Sequence, residues 1–137
     1  MDCPTTKDQM SILVVDDDYL VRMLTAGVLT DAGFKVVEAS NTGEALRLFG
    51  DGVKFRAIVT DVEMPGPENG YGLAARARLT CPTVALLIIS GRSPPKSSFL
   101  PSRARFLSKP TPAALLISEL HHVIAANFSG GRTASAR

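Results

Sequence analysis

Five short apolar runs separated by stretches of helical periodicity constrain this chain more than any other feature. Ile12–Val15, Lys35–Ala39, Ala57–Thr60, Val84–Ile89 and Ala104–Leu107 are short enough for strands and too short for helices. Between them lie amphipathic patterns. Val21, Leu24, Val28 and Leu29 fall on one helical face, and Ala32-Gly33 supplies the stop. Asn41 can cap a second helix, with Glu44 completing a capping box and Ala45, Leu48 and Phe49 facing inward. Leu73–Leu79 makes a short third helix, and Leu116, Leu120, Val123 and Ile124 mark the last. Strands that are apolar throughout are buried on both faces, and strands that alternate with helices pair in parallel. Right-handed crossovers then restrict the topology to an α/β, doubly wound (βα)5 sheet with helices on both sides.

A chain of 137 residues suits one domain. That domain is expected over residues 10–127, between a polar arm at 1–9 and a Gly-, Ser- and Arg-rich tail at 128–137 expected to be disordered. Ten tail residues cannot fold into an output domain. The net charge is only +2, and the basic residues are dispersed, so no stripe marks direct nucleic-acid binding. No apolar segment approaches the length of a membrane span, and no leader pattern opens the chain. Cys3 and Cys81 form no disulfide framework and are expected as free thiols in a reducing, cytoplasmic setting.

In doubly wound sheets, ligands bind beyond the carboxyl ends of the strands. Strand one ends in Asp16-Asp17, strand three in Asp61 and strand four in Ser90, and strand five is followed by Lys109. Asp18, one position further, is placed to cap the first helix. Two ionised carboxylates about 5 Å apart repel by roughly 3 kcal/mol at an effective dielectric near 20. Clustered carboxylates therefore call for a hard divalent cation, and Mg²⁺ commonly bridges carboxylate and phosphate. With a lysine and a hydroxyl beside them, they make a phosphoryl-transfer site in which Asp61 is the candidate nucleophile.

The segments VVDDD, TDVEMPG, ISG and FLSKP, in this order, resemble the motifs of response-regulator receiver domains of two-component signalling, of the single-domain, CheY-like kind. The resemblance covers residues 10–127 and implies a flavodoxin-like fold with strand order 2-1-3-4-5. It implies Asp61 as phosphoacceptor and Asp16, Asp17, Asp61 and the Glu63 backbone carbonyl as holders of one Mg²⁺. It implies Ser90 and Phe106 as switch residues, Lys109 as the partner of the phosphoryl group, and a cis Lys109-Pro110 peptide. Glu63 and Arg92 match positions that tune hydrolysis, and their opposite charges suggest a pair across the mouth of the site. The donor would be a phosphohistidine of a sensor histidine kinase or a phosphotransfer protein. The chain would act as a switch, a monomer or weak dimer that signals by binding protein, and not as an enzyme on an external substrate.

Two segments depart from that pattern. PGPENG, residues 65–70, is a slightly long loop after the acceptor. RSPPKSSFLPSRA, residues 92–104, stands where the family has its fourth helix, yet carries Pro94, Pro95 and Pro101. A proline inside a helix costs about 3 kcal/mol, so a short or irregular element is expected. Phe99 and Leu100 either anchor an output surface there or fill core, and adjacent His121 and His122 point too far apart on a helix to clasp one ion. Two rival readings remain: an aspartyl-nucleophile phosphatase similar to the haloacid dehalogenases, using Asp16 and Asp18, and a pseudo-receiver that binds partners unphosphorylated.

Overall fold

The computed structural model describes residues 11–64, 66, 68–91 and 100–136, with side chains described as far as residue 126. Its elements in chain order are β1 (Ser11–Val15), α1 (Tyr19–Asp31), β2 (Lys35–Ala39), α2 (Thr42–Gly50), β3 (Ala57–Asp61), α3 (Gly70–Thr80), β4 (Ala85–Ser90), β5 (Arg105–Ser108) and α4 (Ala113–Ala136). The strands form one sheet in the order β2-β1-β3-β4-β5, with every neighbouring pair parallel. Central β3 and β4 are buried at every residue, their apolar runs as expected for strands covered on both faces and their polar ends Thr60, Asp61 and Ser90 with them.

Strand periodicity divides the core into two. Leu13, Ile58, Leu86 and Ile88 pack with Phe49 and Leu73, beneath α2 and α3. Ile12, Val59 and Leu87 pack with Leu29, Leu116 and Leu120, beneath α1 and α4. Each fully buried Leu or Ile side chain contributes roughly 1.5–3 kcal/mol, so these two layers outweigh any single polar contact in holding the fold.

Local signals work largely as the sequence implies. Asp18 caps α1, its Oδ1 accepting the Val21 N–H at 3.1 Å. Asn41 caps α2 by accepting from Glu44 N–H at 2.8 Å, and the Glu44 carboxylate accepts the Ser40 N–H in return, closing the capping box. Helix α3 starts three residues earlier than its apolar pattern suggests, at Gly70 rather than Leu73. The reason is Asn69, whose Oδ1 accepts from Tyr71 at 3.0 Å and Gly72 at 3.2 Å. The α4 backbone continues to Ala136, through the stretch expected as a loose tail. Once a packed nucleus exists, each further helical residue adds one hydrogen bond.

The proline-rich segment lies mostly outside the described residues, including Arg92, Pro94, Pro95 and Phe99. Its described end is not helical: Ser102 and Arg103 form a turn, and Arg103 has φ 63°. Leu100 packs against the α2/α3 core. His121 is exposed and tilts against the Phe34 ring at 5.2 Å. One expectation needs correction: Cys81 is disulfide-bonded rather than a free thiol, and among the described residues no cysteine is free. Cys81 is also buried at the end of α3, where spacing along the chain says nothing about its partner. Among the described residues, no helix is long and apolar enough to cross a membrane.

Candidate functional site

The register of β1 and β3 pairs Val14 with Val59 and Val15 with Thr60, so one step on Asp16 stands beside Asp61. Side chains alternate along a strand, so Asp16 follows Ile12 and Val14, while Asp61 follows Ala57 and Val59. Both carboxylates thus emerge on the α1/α4 side of the sheet. Lys109, two residues beyond Leu107 of the same core, has the same parity. Carboxylate oxygens of Asp16, Asp17 and Asp61 lie within 4.8 Å of one another, with Asp16 and Asp61 buried and Asp17 exposed. Lys109 Nζ stands 3.1 Å from Asp61 Oδ1 and 3.4 Å from Asp16 Oδ2.

Backbone contacts fix this arrangement. The Asp16 N–H donates to Ala39 O at 3.2 Å, and Asp16 Oδ1 accepts the Asp18 N–H at 2.9 Å. Arg22, on α1, donates to Asp16 O at 2.8 Å while its Nε pairs with Glu38 at 3.1 Å. Lys109 is tied to the end of β4, its N–H donating to Ser90 O at 2.8 Å, and the Lys109-Pro110 peptide is cis. Gly70 is built against the acceptor strand. A Cβ at this position would lie 2.0 Å from Asp61 O, and the Gly70 N–H donates to Val62 O at 2.9 Å. Sequence reasoning left the roles of Gly70 and Arg22 unread. A glycine directly after an N-capping asparagine was the one signal available for Gly70.

Electrostatics sets Asp61 apart. Burial pushes its carboxyl above the ordinary aspartate range, the nearby Asp16 charge adds to that, and the Lys109 ammonium opposes without prevailing. Burial also works against the Lys109 charge, but its hydrogen bond to Asp61 and the charge of Asp16 hold the ammonium above its usual value. One lysine facing two carboxylates keeps its proton, while a buried acid sharing one lysine does not gain full relief. The cluster carries more negative charge than its own cation neutralises.

The remaining expected residues fall into two groups. Ser90 is buried at the end of β4 and donates its hydroxyl to Glu63 Oε1 at 3.3 Å. Phe106 is half-buried against the α2/α3 core, on the Ser90 side of the sheet. Arg92 lies outside the described residues, so the expected pair with Glu63 does too. Beside Asp61 and Lys109 a cavity of about 440 Å³ opens between α1 and the loop before α4, lined chiefly by Val21, Leu24, Ile89 and Leu116. Next to it α1 exposes Tyr19, Leu20 and Met23.

A five-stranded parallel sheet of this order, with acidic groups at the carboxyl ends of its central strands, defines the class of flavodoxin-like domains. The family model described as "Response regulator receiver domain" matches residues 12–121, and the chain belongs to that family. Among solved structures, a response regulator receiver protein from Sinorhizobium medicae superposes with a TM-score of 0.83 at 28% identity, over 89% of this chain and 99% of that one. The receiver domain of the hybrid histidine kinase CckA gives 0.71 at 29% identity, over 83% of this chain and 98% of that one. Of curated relatives, a putative response regulator named NtrX-like from Rickettsia conorii is 33% identical over 84 residues, 61% of this chain and 18% of that protein. The DNA-binding transcriptional regulator NtrC of a Bradyrhizobium strain is 29% identical over 118 residues, 84% of this chain and 24% of that protein. The chain thus spans about a fifth of the length of these relatives.

Proposed function

We propose that this chain is a phosphoryl-accepting switch in which Asp61 receives the group. The observation that carries this reading is the buried Asp61 carboxylate, held 3.1 Å from Lys109 within a cluster of three aspartates at the carboxyl edge of a receiver sheet. In the transfer, an Asp61 oxygen attacks the phosphorus of a phosphohistidine. The P–N bond breaks, the imidazole leaves with its electron pair and takes a proton, and Asp61 becomes an acyl phosphate. Lys109 stands where it can pair with a phosphoryl oxygen, and Ser90, at the end of the neighbouring strand β4, is the hydroxyl that would follow it. Phe106 shares the Ser90 face and is the aromatic group available to move with it.

The donor set fits a divalent cation: three carboxylates converge around a single lysine, which leaves two negative charges unmatched within the cluster. Asp16, Asp17, Asp61 and the Glu63 carbonyl would hold Mg²⁺, which when bound supplies positive charge to the phosphoryl oxygens. A histidine kinase or histidine-containing phosphotransfer protein is the donor this reading requires. The exposed apolar residues of α1 beside the cavity favour a protein donor over a small molecule. The phosphatase reading needs Asp18 beside Asp16, but Asp18 caps α1 and is not among the converging carboxylates.

Incubation with a small acyl phosphate and Mg²⁺, followed by intact-mass measurement, tests the proposal. One added phosphoryl group, absent in Asp61→Asn, is expected. Catalytic turnover that depends on Asp16 would indicate a phosphatase, and an unmodified chain would indicate a binding module.

A further inference from the structure

The Glu63 side chain reaches a second element of the site, and its geometry suggests a task there. Glu63 lies two residues past Asp61, on the loop leaving β3, and is exposed. Its Oε1 accepts the hydroxyl proton of Ser90 at 3.3 Å, a contact bridging 27 positions of sequence. Ser90 is 1% exposed at the end of the neighbouring strand β4. The β3–β4 register pairs Asp61 with Ile89, so Ser90 stands one residue beyond the acceptor's level.

A serine hydroxyl has a single proton to donate. Ser90 therefore cannot give it to Glu63 and to a phosphoryl oxygen on Asp61 at the same time. A contact made only in the unmodified state shifts the balance against the switched state by its own free energy.

We propose that the Glu63 carboxylate is a latch that holds the Ser90 hydroxyl in the unmodified protein and must release it when Asp61 is phosphorylated. The proposal rests on the acceptor reading and deepens it: Glu63 is a positioning residue that sets how readily the switch turns. It acts through Ser90 and not by touching the transferred group. Removing the latch makes the switched state easier to reach, whereas removing Ser90 makes the latch irrelevant.

A double-mutant cycle on the whole chain separates these ideas. The probe is beryllofluoride with Mg²⁺, a stand-in for the phosphoryl group, with affinity read by titration in the unaltered chain, Glu63→Ala, Glu63→Gln, Ser90→Ala and the Glu63→Ala/Ser90→Ala pair. Glu63→Ala is expected to bind about fivefold tighter, the scale of one net hydrogen bond. Glu63→Gln, which keeps an acceptor but loses the charge, falls between. In the Ser90→Ala background the Glu63→Ala gain disappears. An equal gain with and without Ser90 would mean that Glu63 merely repels the incoming anion, and no gain at all would mean that the contact carries nothing. Either result overturns the latch while leaving Asp61 as acceptor. If the unaltered chain binds no beryllofluoride, the acceptor reading and the latch fall together.

Discussion

Charge is drawn into the protein at both ends of the sheet, and the two ends treat it differently. At the amino ends of β4 and β5, the Arg78 guanidinium reaches under the chain to Pro82 O at 2.8 Å, Val84 O and Ser102 O at 3.2 Å. Arg103 donates to the same Pro82 carbonyl at 2.9 Å. Burial, and secondarily the neighbouring Arg103, hold the Arg78 pKa below its usual value, yet the carbonyls that meet it are fixed by the backbone. At the carboxyl ends, Asp16, Asp17 and Asp61 face one another, with Lys109 between two of them. A charge met by fixed dipoles braces the fold. Like charges that meet one another repel, and only further positive charge offsets that cost.

The difference can be broken most completely at Asp61. Asp61→Asn should abolish phosphoryl uptake in the intact-mass assay and yet stabilise the metal-free protein, by about 1–2 kcal/mol in urea melts at neutral pH. The sign follows from burial: the folded carboxyl titrates above its unfolded value, so the native state binds more protons between the two. Stability therefore falls as pH rises through that window and remains lower above it. The variant should flatten this dependence, and a destabilised Asn variant would show that Asp61 is braced like Arg78.

Gly70→Ala should be felt in both fold and function, because its Cβ would sit 2.0 Å from Asp61 O. A loss of about 3 kcal/mol in urea melts is expected, with slower phosphoryl uptake. Gly27→Ala is the control, since nothing lies within 4 Å of that Cβ in α1. It should stabilise by up to about 1 kcal/mol. Arg78→Ala should cost about 2 kcal/mol, chiefly by leaving the part-buried Val84 carbonyl without its charged donor, with uptake unchanged. Arg78→Lys should not restore it, since a compact ammonium cannot span the three carbonyls that the planar guanidinium reaches.

The smallest effect is at Glu44, a carboxylate treated in the manner of the amino end. The Ser40 N–H is the main cause that holds its pKa below the usual value, against a partial opposing effect of burial. Its contribution is thus present above the unfolded value and lost as pH falls through the folded one. Glu44→Gln should cost only about 0.5 kcal/mol at neutral pH, and the difference should vanish on acidification. A persistent difference in acid would indicate that packing, not the charged cap, is what Glu44 supplies.

Much of the site was legible because the sheet edge is written locally. A strand buried on both faces reads as an unbroken apolar run, and the first polar residue after it marks the edge. Asp16, Asp61 and Ser90 were located in this way and Lys109 one residue past the edge, and Asp18 and Asn41 could be read as caps from the helices that follow them. The Glu63–Ser90 contact was not legible, and Glu63 was instead matched with Arg92. Nothing within either segment specifies which side chain meets which across 27 positions. Gly70 against Asp61 and Arg78 beneath β4 and β5 were hidden for the same reason.

The chain's own order of residues determined the alternation of strands and helices, the parallel sheet and the four polar groups at its edge, because burial and periodicity are properties of short segments. Tertiary structure alone decided that three carboxylates and one ammonium converge within a few ångströms, that Cys81 is bonded rather than free, and that Glu63 meets Ser90. Those facts depend on strand register and loop path, which bring together atoms far apart in sequence and have no local signature to read.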